Sequence, residues 1–246
     1  MNKRSFRNYF RKLRLKRYNK LYGNNYKFAG FEISIPSDAA FNIKYSLIRN
    51  RYEASEQKLI NKYLVSTSNV IELGGSLGII SKLINAKLEI DSTLVVVEAN
   101  PDIIRFCKKN IFIESRQHST FIENFAIAYG VDKIDFHISD DVSCSRVADS
   151  KLKGNIEVQA CSLSYIVQKH LDNSDFVLIM DIEGGEIDVF ENDKDILKKC
   201  SLVIVELHSE IISSYGYTLN DIFTLITEIG LRLIDHDGSV YVFKRD

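Results

Sequence analysis

The chain has 246 residues, 45% of them hydrophobic and 26% charged, with 32 Lys and Arg set against 33 Asp and Glu. That balance suits one α/β domain with an extension and excludes disorder along the whole length. No apolar run approaches the ~18 residues that span a bilayer, and no apolar segment follows the basic N-terminus as it would in a secretory signal.

The near-neutral total hides an asymmetry. Lys and Arg crowd the segment from Lys3 to Lys20, and the first acidic residue is Glu32. Phe6, Tyr9, Phe10, Leu13 and Arg17 fall at helical spacing, which predicts a basic helix with an aromatic edge. Such a helix either caps the domain with its Phe and Leu or meets an anionic surface, so residues 1–20 carry an expected alternative of peripheral membrane contact. Residues 26–36 read as a small hairpin, and 53–64 as a helix with Leu59, Ile60, Tyr63 and Leu64 on one face. From there short apolar runs alternate with amphipathic stretches. NVIELGG, STLVVVEANP, TFIENFAIAYG, DFVLIMDIEGG and LVIVELH read as strands, and the segments following most of them as helices. Such alternation means a parallel sheet covered on both faces. The last stretch, LRLIDHDGSVYVFK, breaks at Asp237-Gly238 into a closing hairpin. Residues 131–163 do not fit the alternation. IDFHIS and IEVQACS read as an inserted hairpin near the rim where open α/β sheets bind ligands. Residues 1–50 are thus expected to form a basic extension with a hairpin, and 51–246 the main domain. Cys107, Cys144, Cys161 and Cys200 form no C-x-x-C pair, so a reducing, cytoplasmic setting is expected.

Three motifs carry chemistry. Glu72-Leu-Gly74-Gly75-Ser76-Leu-Gly78 follows a strand and opens a helix, with glycines that permit a sharp turn and close ligand approach. It lacks the phosphate-binding G-x-G-x-x-G pattern. Glu98 ends the next strand, twenty residues after Gly78. There a carboxylate can accept hydrogen bonds from both ribose hydroxyls of a nucleoside cofactor. Asp181-Ile-Glu183-Gly184-Gly185-Glu186 gathers carboxylates at the end of a buried strand, a placement that costs free energy without partners or function. Asp181 is the candidate base toward an acceptor hydroxyl. Glu183 and Glu186 are candidates to bind the acceptor, to hold Asp181 or to cap the following helix. His208 ends the next strand at the same rim and is a second candidate base. Asp181, Glu183 and His208 form a permissive rather than diagnostic metal set, and no metal is expected.

At these motifs the sequence resembles the FkbM family of S-adenosylmethionine-dependent methyltransferases. That family shows D-x-G-A-N-x-G, E-P-N-P, and D-x-E-G-x-E followed by an E-[LVI] strand. The corresponding segments here are ELGGSLG (72–78), EANP (98–101), DIEGGE (181–186) and VELH (205–208), and the likeness runs from about residue 45 to 210. Glu72, Gly75, Ser76 and Ala99 stand where the family has Asp, Ala, Asn and Pro. The resemblance implies a doubly wound Rossmann-like sheet of the class I methyltransferase type, mostly parallel with one reversed C-terminal strand. It implies S-adenosyl-L-methionine as cofactor, held by Glu72, Gly74, Gly75, Ser76, Gly78, Glu98, Ala99 and Asn100. Glu98 would hold the ribose, and Glu123 and Asn124 would lie near the adenine. The expected acceptor is a hydroxyl of a sugar, glycan or small metabolite. Two rivals are a nonenzymatic binding protein of the same fold and a nucleic-acid methyltransferase using the basic N-terminus, the latter disfavoured by the near-neutral body.

Overall fold

The computed structural model describes residues 3–23, 25–112, 118–138, 146–147 and 156–246. The chain opens with helix α1 (Lys3–Tyr22), then a hairpin of β1 (Asn25–Phe28) and β2 (Phe31–Ser34), and α2 (Phe41–Leu47). Next come α3 (Ala54–Tyr63), β3 (Val70–Leu73), α4 (Ile79–Lys87), β4 (Thr93–Val97), α5 (Ile104–Phe112) and β5 (Ser119–Glu123). The inserted region carries β6 (Ala126–Ile127), β7 (Lys133–His137), β8 (Arg146–Val147) and β9 (Ile156–Cys161). The core resumes with α6 (Leu163–Leu171), β10 (Phe176–Met180), α7 (Glu186–Asn192), α8 (Lys194–Leu197) and β11 (Cys200–Glu206). It ends with α9 (Ser209–Ser214), α10 (Leu219–Glu228), β12 (Leu231–Asp237) and β13 (Val240–Arg245).

Seven strands form one sheet in the order β12-β13-β11-β10-β3-β4-β5. From β11 through β5 the neighbours are parallel, while β13 runs antiparallel to both β11 and β12. This is the expected doubly wound sheet with a reversed C-terminal strand. The reversed strand slots between β11 and β12 instead of lying at the edge. Successive side chains alternate between the faces. Val70, Leu94, Val96, Val177, Ile179, Leu202 and Ile204 pack toward α3, α4 and α5. Ile71, Leu73, Val95, Val97, Leu178, Met180, Val203 and Val205 pack toward α6, α7 and α10. Burial on both faces explains why these strands read as unbroken apolar runs. Leu15, Tyr26, Phe28, Ile33, Ile43 and Leu47, from the first 50 residues, join the first of these layers.

Some elements depart from the sequence expectation. TFIENFAIAYG is two strands, because Asn124 turns aside to donate its side-chain amide to the carbonyls of Glu98 and Ala99, at 2.7 and 3.0 Å. β5 then stays in the main sheet while β6 pairs with β9. The expected hairpin is present, with β7 antiparallel to β9, but most of its linking segment, including Cys144, lies outside the described residues. The helix expected over 186–200 breaks at Asp193, whose carboxylate is held by the Tyr129 hydroxyl at 2.6 Å and by the Ser164 side chain.

Candidate functional site

Parallel strands deliver their C-terminal loops to one end of the sheet, and the order reverses beside β3: β4 lies on one side of it, β10 on the other. Ligand crevices of open α/β sheets form at such a switch point. A cleft opens there, lined by Gly74, Ser76, Glu98 and Ala99 on one side and by Asp181, Ile182 and Glu183 on the other. Tyr52, Glu53 and Glu56, from the start of α3 and the turn before it, close another wall, and Phe125 and Phe136 a further one. Phe136 belongs to β7, so the inserted hairpin does reach the rim.

Glu98 organises the wall on the Ser76 side. Its Oε2 accepts the Ser76 amide and its Oε1 the Asn100 amide, both at 2.6 Å. Burial pushes its carboxyl up, and these backbone donors pull against that. Gly74 has φ 93°, and a Cβ there would sit 1.8 Å from the carbonyl oxygen of Asp181. Gly78 has φ 74°, and its Cβ would meet the Cys107 Cα at 2.8 Å. These two glycines are therefore required by protein packing, between β3 and β10 and between α4 and α5. Strain concentrates at the same place. Of the seven non-glycine residues with positive φ among those described, Glu53, Ser76 and Glu183 line the cleft.

The opposite wall is acidic. His208 Nδ1 lies 3.9 Å from Asp181 Oδ1, and His208 Nε2 lies 3.8 Å from both Glu183 Oε2 and Glu206 Oε1. Asp181 Oδ1 and His208 Nδ1 are buried atoms without a hydrogen-bond partner, as are Glu72 Oε2 and Asn100 Nδ2. Asp181 is held well above the usual carboxyl range by burial and then by the charges of Glu206, Glu56, Glu183 and Glu186. Burial followed by Glu206 raises Glu53 to about 7. Burial also raises Glu72 to about 8. Tyr52 is held high by burial beside Glu53, Glu56 and Asp181. Among the described residues, no lysine or arginine lines the cleft. Asp181, Glu206 and His208 each bring one donor atom within 4.8 Å of the others, a set a divalent cation can use. Glu206 thus takes the place that sequence reasoning gave Glu183.

Not every expected residue faces the cleft. Glu186 spends both oxygens on the backbone, accepting the amides of Ile182 at 2.9 Å and Gly184 at 2.8 Å, and so shapes the Asp181–Gly185 turn. Glu123 turns outward to Lys169 and His170 at 2.6 and 2.7 Å. Gly75, Gly78, Asn100 and Asn124 support the wall from behind. The segment around 37–52 was expected to shape the acceptor pocket, and its Tyr52 lines the cleft, but sequence reading missed Glu53 and Glu56 as lining residues. The helix around them was legible, but nothing local indicates that its first turn leans over a sheet edge.

The methyltransferase FkbM domain matches residues 78–233, more than half of the chain. A methyltransferase from Pyrococcus furiosus is similar in structure at 12% identity, with 97% of this chain and 98% of that one covered and a TM-score of 0.49. The magnesium protoporphyrin IX methyltransferase ChlM from Synechocystis PCC 6803, with bound SAH, covers 100% of both chains at 8% identity and a TM-score of 0.46. A putative tRNA (m1A22) methyltransferase of Streptococcus pneumoniae, Sp1610, in complex with S-adenosyl-L-methionine, shows 9% identity over 77% of this chain and 71% of that one, with a TM-score of 0.41. Curated proteins give no match. With its motifs on the loops that the reversing sheet brings together, and the family's domain spanning α4 to β12, this chain belongs to the FkbM family and is an S-adenosylmethionine-dependent methyltransferase.

Proposed function

We propose that the protein methylates a hydroxyl group of a sugar, glycan or small metabolite. The observation that carries this reading is the cleft itself: Glu98 and the Ser76 turn on one side, Asp181 and His208 on the other, and no lysine or arginine among the described residues that line it. A cleft walled by carboxylates repels phosphate-rich acceptors and suits a neutral polyol, whose hydroxyls donate to them.

The same walls fit the cofactor. Bound S-adenosylmethionine supplies an electrophilic methyl on a positively charged sulfonium, and Glu53, Glu56, Glu98, Asp181 and Glu183 offer the complementary sign. Glu98 holds the ribose with the lone pairs left over from its two amide partners, and Ser76 and Ala99 border the nucleoside. Leu73, Val97 and Ile127 provide apolar contact.

Asp181 takes the proton from the acceptor hydroxyl, since an alcohol is a weak nucleophile until a base removes it. Its raised affinity for a proton strengthens it as a base once a neighbouring cation restores its charge. His208, 3.9 Å away, stabilises that charge and can pass the proton toward Glu183 or Glu206. Glu186 acts at one remove by fixing the turn that carries Asp181 and Glu183. Tyr52 and Phe136 border the acceptor side and restrict water.

The test is a methyl-transfer screen with labelled cofactor against free sugars, oligosaccharides, small alcohols and RNA. Transfer to a hydroxyl acceptor that collapses in Asp181→Asn supports the reading; transfer to RNA alone sinks it.

A further inference from the structure

We infer that the outer face of α1 docks the protein on an anionic lipid surface. The helix carries nine Lys and Arg between Lys3 and Lys20 and no acidic residue. Its inner face is spoken for. Leu15 is buried in the main core, Arg11 lies over the Tyr45 ring at 5.3 Å, and Tyr18 stacks on Tyr26 at 5.2 Å. Residues 11, 15 and 18 follow the helical repeat, so this is one continuous stripe.

The opposite face is apolar and open. At about 100° per residue, Phe6 and Leu13 point almost directly away from Leu15. Phe6 is 55% exposed, Tyr9 58%, Phe10 51% and Leu13 49%. Capping the domain therefore falls to Leu15 and Tyr18, and the residues of the aromatic edge are left uncovered. The helix holds six of the fifteen large hydrophobic side chains that are exposed among the described residues. The patch is contiguous: Phe6 and Phe10 have ring centroids 4.8 Å apart, and Tyr9 and Phe10 5.7 Å. Exposed Lys12, Arg14, Lys16, Arg17 and Lys20 surround it.

Aromatic and leucine side chains ringed by basic ones match the boundary between acyl chains and anionic headgroups. The apolar patch enters that boundary while the long basic side chains reach back to the headgroups. A nucleic-acid strand fits less well. The rings meet edge to face, at 64° and 84°, so they shield one another's faces from stacked bases. Leu13 at the patch offers a base nothing to stack on.

The chain contains no tryptophan, so Phe10→Trp places a single reporter in the patch. The full chain is titrated with phosphatidylcholine vesicles, with the same vesicles carrying phosphatidylserine, and with a single-stranded RNA homopolymer. The expected result is at least about tenfold tighter binding to the anionic vesicles than to the neutral ones, weakened by salt. A blue shift of the tryptophan emission should accompany it. Phe6→Ala/Phe10→Ala/Leu13→Ala in the unlabelled chain should lose about tenfold or more in vesicle cosedimentation, with S-adenosylhomocysteine affinity unchanged as proof of folding. Equal binding to both vesicle types, binding unaffected by the triple substitution, binding to RNA alone, or no binding to any of the three would each overturn the proposal.

Discussion

Oε2 of Glu98 accepts the amide of Ser76 at 2.6 Å across twenty-two residues of sequence, which ties the end of β4 to the turn after β3. The glycine-rich turn is thus shaped by a carboxylate that also lines the cleft. Glu98→Gln preserves the size of the side chain but turns an –NH2 group on at least one backbone N–H. Hydrogen bonds to charged groups contribute about 1.5–3 kcal/mol each. Losing one should weaken S-adenosylhomocysteine binding by about 10- to 100-fold and lower the melting temperature. Calorimetric titration checks the first effect and thermal unfolding the second. Unchanged affinity would show that Glu98 holds the loop alone and leaves the ligand to other groups.

Asp181 and His208 should separate chemistry from cofactor binding. Asp181→Asn keeps the shape of the wall and removes the proposed base. The methyl-transfer rate should fall by about 10²- to 10⁴-fold, with S-adenosylhomocysteine affinity within a few-fold of wild type. His208→Gln should cost less, because it removes a partner of the base. A rate loss in His208→Gln that exceeds that in Asp181→Asn would reverse the two roles.

The two glycines Gly30 and Gly74 share a φ near 90° but differ in their surroundings. A Cβ at Gly30 meets nothing within 4 Å, whereas one at Gly74 lands 1.8 Å from the Asp181 carbonyl oxygen. Gly30→Ala should therefore cost only backbone strain, about 1–2 kcal/mol. Gly74→Ala adds a collision between β3 and β10 and should cost distinctly more, while also displacing Asp181 and lowering the transfer rate. Urea unfolding of both variants measures the difference; equal losses would mean that the sheet gives way there at no extra cost.

Much of this was legible in the sequence because burial leaves a local mark. Val95-Val96-Val97 and Leu178-Ile179-Met180 pack against helices on both sides, and that requirement alone produces runs without polar residues. Glu98 and Asp181 were legible as strand-end carboxylates. What the chain did not advertise is decided by distant contacts. Glu56 is 8% exposed at the cleft because α3 crosses the sheet, although its own sequence reads as an ordinary amphipathic helix. Glu123 at the end of β5 and Glu186 at the start of α7 carry the right chemistry, yet a lysine–histidine pair and two backbone amides claim them. The divide of β5 from β6 hangs on the side chain of Asn124, a choice no period of hydrophobicity encodes.

The cluster of buried carboxyls should make the free protein lose stability toward alkaline pH. Glu72 is 3% exposed on β3, and burial chiefly, with the charge of Glu98 beside it, raises its carboxyl from 4.5 to about 8. Between those values the folded chain holds a proton that the unfolded chain has released. The contribution is therefore complete below pH 4.5 and disappears as pH rises through about 8. At about 1.36 kcal/mol per pH unit for one group, the upper bound between about pH 5 and pH 8 is about 4 kcal/mol. Glu72→Gln carries no such proton. Denaturant unfolding of the free proteins should show wild type losing ground to Glu72→Gln over that range. A gap that stays constant with pH would mean that Glu72 is ionised throughout. The same ionisation predicts a ligand effect of opposite sign. As Glu53 and Glu72 release protons near pH 7 and 8, the cleft gains negative charge, and cationic S-adenosylmethionine should gain affinity relative to S-adenosylhomocysteine, which lacks the sulfonium charge. Parallel titrations at about pH 6 and pH 9 read that ratio directly; a ratio that does not rise would place the sulfonium away from these carboxyls.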